Sequence, residues 1–246
     1  WSSDVCSSDL LHFTLGSLFR RRGETDRAIR MHMNLLDRPD LGEEQKLQAL
    51  LALGQDYLKA GLLDRAEEVL ARLKTSALRG EALRLLLEIF EKEKDWARAI
   101  ETAGEIEREG GESRHRQVAS YYCELAAIDV THSREAEAVG NLEAALAANR
   151  KSVRANLLVG EIHATAGRHE AAIESWKRIE QQQPEYLALA AGKLLESFRR
   201  LERADEGLTL LRGYLAQYPS LDLLDVVFQD RKSTRLNSSH TDISRM

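Results

Sequence analysis

Apolar positions recur along this chain at the three-and-four spacing of amphipathic helices, in short blocks cut by glycine. Nowhere do they alternate with the period of two that a half-buried strand shows. Leu15, Gly16 and Phe19 fall on one face of a predicted helix, Gly23 breaks it, and Ala28, Ile29, His32 and Leu36 mark a second. Pro39 then ends the unit, because proline cannot continue a helix interior. The second block repeats the design with Leu53, Gly54, Tyr57, Gly61, Ala66, Val69, Leu70 and Leu73. Two of these blocks carry the same triplet after their glycine, Asp26-Arg27-Ala28 and Asp64-Arg65-Ala66.

The small third residue of the triplet returns as Ala99, Ala138, Ala172 and Gly207, giving steps of 38, 33, 39, 34 and 35 residues. A period near 34 in a chain without strand patterning marks stacked helical hairpins, the tetratricopeptide design. The expected fold is therefore all-α, a solenoid of about six helical hairpins in a right-handed superhelix. Its units fall near 10–42, 47–78, 80–110, 119–150, 153–185 and 188–219, with a partial one at 221–230. The two long steps coincide with Arg38 to Gly42 and with Glu109-Gly110-Gly111-Glu112-Ser113, both read as lengthened connections. Gly16 and Ala28 are read as close-contact points where the two helices of a hairpin cross, since larger side chains would push the axes beyond their usual 8–10 Å, roughly.

Composition narrows this picture. Three prolines, 6% aromatics and 30% charged residues in 246 suit a helical array rather than a disordered chain. The net charge of −5 comes from interleaved acids and bases, so no basic stripe points to nucleic acid. No apolar run approaches the roughly 18 residues of a membrane span. Cys6 and Cys123 form no CxxC, which leaves no metal knuckle or disulfide framework, and Cys123 reads as a small buried hydrophobe. Seven histidines contain no HExxH, and no GxxxxGK[ST] loop is present. His163 and His169, six apart across Gly167, read as surface or packing residues rather than a metal pair. No enzyme, cofactor or small-molecule substrate is expected.

The two ends break with the interior. Residues 1–10 and 231–246 carry four serines each, show no helical apolar periodicity, and resemble translated adapter sequence. They are set aside as non-native, the second as disordered, leaving 11–230 as an array cut within a longer protein. An array so cut exposes faces meant for neighbouring hairpins and is expected to self-associate through its ends.

The run from Leu15 to Arg30, then Gly54-Gln55-Asp56-Tyr57 with Ala60 to Glu67, then Tyr122 to Ala126, resembles the lipopolysaccharide assembly protein B family across essentially all of 11–230. That resemblance implies a non-enzymatic adaptor on the cytoplasmic side of the bacterial inner membrane. Its implied partners are the committed-step deacetylase LpxC, the membrane protease FtsH, which degrades it, and lipopolysaccharide assembly proteins. It further implies a membrane helix before the array and a rubredoxin-like metal domain with paired CxxC motifs after it, neither found in this stretch. The alternative is a structural scaffold for envelope biosynthetic complexes.

In such a solenoid the concave wall is lined mainly by the first helix of each unit. Helical spacing nominates Ser17, Arg20 and Arg21; Gln55 and Lys59; Arg84, Glu88 and Glu91; Glu161; and Glu196, Arg199 and Arg200 as partner-binding residues, or else as ordinary solvated helix positions. The lysine–asparagine clamp used on the acidic C-termini of chaperones is missing, since Phe13, Ser17, Leu51 and Gln55 hold the corresponding places.

Overall fold

A computed structural model describes the backbone of residues 2–228 and the side chains of residues 11–228. Among these, helices follow one another with no strand between them. They pair as α1 (Ser2–Arg21) with α2 (Thr25–Leu36), α3 (Glu43–Ala60) with α4 (Leu63–Ala71), and α5 (Arg79–Glu93) with α6 (Trp96–Arg108). Three further hairpins are α7 (His115–Thr131) with α8 (Glu135–Ala148), α9 (Val153–Thr165) with α10 (His169–Gln182), and α11 (Leu187–Arg200) with α12 (Ala204–Gln217). Residues 221–228 are again helical. The chain is an all-α tetratricopeptide solenoid.

Each hairpin turns through a left-handed residue one or two positions after its first helix. Gly23, Gly61 and Gly167 serve there at φ of 75 to 80°, while Lys94, Ser133 and Glu202 take the same conformation at 57 to 60°. The left-handed turn lets the next amide bond back to the helix it leaves, as Leu62 N–H does to the Tyr57 carbonyl at 2.9 Å. In the hairpins of Lys94, Ser133 and Glu202 the turn position holds no glycine, which is why the glycine punctuation fades there in the sequence.

The packing inside a hairpin rests on one small-for-large exchange. A Cβ built on Gly16 would collide with the His32 imidazole, and one on Gly160 with the Trp176 indole. At Gly54 it would come within 2.6 Å of Leu70. In all three the large residue lies sixteen positions on. Gly16 is thus a close-contact point between the two helices, as the sequence led us to expect, and the group it makes room for is the His32 side chain. The same offset pairs Leu87 with Ala103, Ala126 with Leu142 and Leu195 with Leu211, all buried.

The described residues divide into two compact units, one up to residue 114 and one from residue 115 onward, at the loop following α6. In the first, α2 packs on α3, α4 on α5, and the first helices α1, α3 and α5 lie side by side. In the second, α7 packs on α9, α8 on α9, and α10 on α11. One core there gathers Ile173, Trp176, Ile179, Leu194, Phe198, Leu211, Tyr214 and Leu223.

Two sequence boundaries shift. Helix α1 begins at Ser2, so residues 2–10 of the stretch set aside are helical, because backbone hydrogen bonding propagates from a nucleated turn without needing an apolar stripe. Pro184 opens a short 3₁₀ turn, Pro184–Tyr186, leading into α11, instead of simply closing the preceding unit. The segment 231–246 lies outside the described residues.

Candidate functional site

The first helices carry the face nominated from sequence, and its residues differ sharply in how free they are. Arg20, near the end of α1, reaches across to α3. Its Nη1 donates 2.7 Å to Asp56 Oδ1 and 3.2 Å to the Ala52 carbonyl. The other Asp56 oxygen takes the Nδ1–H of His32 at 2.5 Å. Asp56 and His32 are wholly buried, whereas the Arg20 side chain keeps 21% exposure. Among the described residues His32 Nε2 has no hydrogen-bond partner, and Phe13 lies with its ring centroid 6.1 Å from the imidazole. The cluster balances one carboxylate against one guanidinium, and a buried charge persists only when paired in this way.

Repeat alignment shows how unusual this cluster is. Where α3 has Asp56, the other first helices have Leu18, Ile89, Ile128, Ile162 and Ser197. Where α2 has His32, the other second helices have Leu70, Ala103, Leu142, Trp176 and Leu211. Neither Asp56 nor His32 was singled out as a polar pair from sequence. The signal available was this departure from an otherwise apolar frame.

A second recurrent device caps the aromatic position of the first helix with an arginine. In the first unit the arginine comes eight residues later: Arg27 sits 4.3 Å over the Phe19 ring, Arg65 6.0 Å over Tyr57, and Arg98 4.0 Å over Phe90. In the second unit it comes five residues later: Arg134 donates 2.6 Å to Asp129, Arg168 3.1 Å to His163, and Arg203 lies 5.5 Å over Phe198. Burial and then the adjacent Arg168 hold His163 below the usual imidazole range, in keeping with an Nδ1 that accepts from the guanidinium. The arginine of the Asp-Arg-Ala triplet is thus a packing residue, stacked on the ring of its own hairpin.

The remaining nominated residues fall into two groups. Several are spent on ion pairs: Glu88 with Lys92 at 2.8 Å, Glu161 with Lys193 of the next first helix, and Glu196 with both Arg199 at 3.5 Å and Arg200 at 2.9 Å. Glu91 is half-buried. Others remain open to solvent: Arg21, Lys59 and Arg84 are exposed, with Ser17 and Gln55 half-buried beside them. Within the second unit, Ala127 and Val130 of α7 and Leu158, Ile162 and Thr165 of α9 line a groove of about 460 Å³. Val130 there is 48% exposed.

Among the described residues no group of histidine, cysteine or carboxylate side chains is arranged to hold a metal ion. His169, considered with His163, has Ser197 Oγ at 3.3 Å from its Nδ1. Also among the described residues, no helix is long and apolar enough to cross a membrane. Burial raises the Cys123 thiol above its ordinary range, which leaves it protonated and unreactive.

Comparison with known proteins agrees with this architecture. The family model described as "Tetratricopeptide repeat" matches residues 51–113 and 126–186. Lipopolysaccharide assembly protein B of Escherichia coli strain K12 is 34% identical over 212 residues, which are 86% of this chain and 54% of that protein. The protein of the same name from Haemophilus influenzae is 32% identical over 194 residues, covering 78% of this chain and 48% of the relative. The chain therefore spans about half the length of the curated relatives it matches. Among solved structures, YrrB, titled a TPR protein with an unusual peptide-binding site, matches at a TM-score of 0.44 and 14% identity over 82% of this chain and 97% of its own. MamA from Desulfovibrio magneticus matches at 0.43 and 15%, over 71% of this chain and 94% of its own.

Proposed function

Because this chain belongs to the tetratricopeptide-repeat family and is a relative of lipopolysaccharide assembly protein B, we propose that it is a non-enzymatic adaptor of lipopolysaccharide biosynthesis. The observation that carries the reading is identity of 34% sustained over 86% of the chain, far more than one shared motif. In this role the array presents the committed-step deacetylase LpxC to the membrane protease FtsH for degradation, on the cytoplasmic side of the inner membrane. The chemistry fits: an exposed face of mixed charge and an apolar groove can hold a partner through several modest contacts without acting on it chemically.

Pull-down of purified deacetylase and protease tests this reading. Capture of both supports it, and capture of neither by the array within its full-length protein rejects it. The word "assembly" in the relatives' name favours a second reading, a scaffold for envelope biosynthetic complexes with no part in proteolysis. Deacetylase half-life separates the two: lengthened on loss of the gene it supports the adaptor, and unchanged it supports the scaffold.

A further inference from the structure

We propose that the exposed face shared by α1 and α3 is a docking site for an acidic peptide segment of a partner protein, gripped by Arg20, Arg21 and Lys59. The inference rests on the adaptor reading and says what chemistry one part of that face selects.

Arg20 is the centre of it. Its guanidinium is fixed from behind by a fully buried carboxylate, Asp56, and by the Ala52 carbonyl, both through Nη1. Nε and Nη2 have no hydrogen-bond partner among the described residues, and the side chain is 21% exposed. A guanidinium held in place loses little freedom on binding a carboxylate, which is the advantage of a preorganised planar fork. Asp56 occupies a frame that is apolar or uncharged in every other hairpin, so this anchoring is particular to the first two hairpins.

Two further cations flank it. Arg21 follows Arg20 in the last turn of α1, and Lys59 lies one turn beyond Asp56 on α3. Both are exposed, and neither has an acidic partner among the described residues. This sets them apart from Lys193, Arg168, Arg154 and Arg98, each of which meets a carboxylate of an earlier hairpin. The C-terminal ends of α1 and α3 supply about half a negative charge each. That field steadies the cations but offers them no carboxylate. Ser17 and Gln55, half-buried on the same stripes, add neutral hydrogen-bonding groups alongside. Fixed Arg20 with free Arg21 and Lys59 fits two or more carboxylates spaced along a peptide.

The test uses fluorescence anisotropy on the whole chain. The probes are a fluorescein-labelled peptide of alternating Glu and Ser and a matched peptide of alternating Gln and Ser. The inference expects the Glu peptide to bind, the Gln peptide to bind at least roughly tenfold more weakly, and added salt to erase the difference. The double variant R21E/K59E, both exposed positions, should lose at least roughly tenfold for the Glu peptide with an unchanged melting curve. Equal binding of the two peptides, or a double variant that binds as the parent does, overturns the inference. So does displacement of the Glu peptide by inorganic phosphate at comparable concentration, or equal charge-dependent binding to anionic vesicles, since either would mark a site for simple anions or lipid. If no acidic peptide binds while the deacetylase is still captured, this inference alone falls and the adaptor reading stands.

Discussion

At the scale of single residues, Asp56 is the one on which most depends. Its carboxylate is wholly buried and answers Arg20 and His32 at once. Asp56→Ala should cost about 3 kcal/mol, because removing one member of a buried pair strands the other. The midpoint of urea unfolding at an unchanged slope checks this. Leucine at positions 20, 32 and 56 together, the kind of residue other hairpins use, should recover most of the loss. Titration offers a second test. Burial raises the Cys123 thiol, and burial followed by the nearby Glu180 charge raises the Tyr214 phenol. A group whose folded-state pKa is raised holds its proton longer in the fold than in the unfolded chain, so stability falls as pH climbs past the unfolded value. The unfolding free energy should therefore decline above about pH 9, where unfolded thiols begin to ionise. Cys123→Ala and Tyr214→Phe should each flatten that decline. A slope unchanged in both variants would show that neither group drives it.

At the scale of the helical hairpin, the repeated unit was readable because its rule is local. In four of the six hairpins a glycine or alanine of the first helix is followed sixteen residues later by a large residue, and both lie within one unit of sequence. The reason for the glycine was not readable, since only the folded hairpin shows that Gly16 faces an imidazole and Gly160 an indole. Gly160→Ala should destabilise by about 1–3 kcal/mol through overpacking against Trp176. Adding Trp176→Leu, which recreates a pairing close to Ala126 with Leu142, should restore most of it in thermal unfolding. The turns give a test of opposite sign. Lys94, Ser133 and Glu202 hold left-handed backbone where their counterparts are glycine. Glycine at each should be neutral or stabilising by up to about 1 kcal/mol, relief of strain outweighing added chain entropy. The arginine caps were legible only in the first two hairpins. Asp-Arg-Ala tags the eight-residue spacing at Arg27 and Arg65, whereas Arg98, Arg134, Arg168 and Arg203 carry no such tag.

At the scale of the whole molecule, a solenoid has no long-range core, so its integrity depends on each hairpin burying the face of the next. The period of the sequence discloses that design but not where contacts thin out. Partner residues were harder still to read, because spacing places a residue on a face without saying whether a neighbour already holds its charge. Helical spacing nominates Glu161 and Arg20 alike, and only the folded chain shows one matched by Lys193 and the other fixed by Asp56. The division at residue 114 lies where the sequence runs Glu109-Gly110-Gly111-Glu112-Ser113, a stretch outside any helix whose residues are mostly exposed. Few buried contacts and open backbone are what a protease needs. Brief digestion with a glutamate-specific protease should therefore cut first at Glu112, just past the amides of Glu109, Gly110 and Gly111 that still bond back to α6, despite the many glutamates on helices elsewhere. Both products should keep helical circular dichroism, because each compact unit has its own buried residues, Leu70, Leu83 and Ile89 in one and Trp176, Leu194 and Leu211 in the other. First cuts inside α3 or α9 would mean that the hairpins open before the loop is reached, and would place the weakest point of the array within a repeat instead of between two blocks of them.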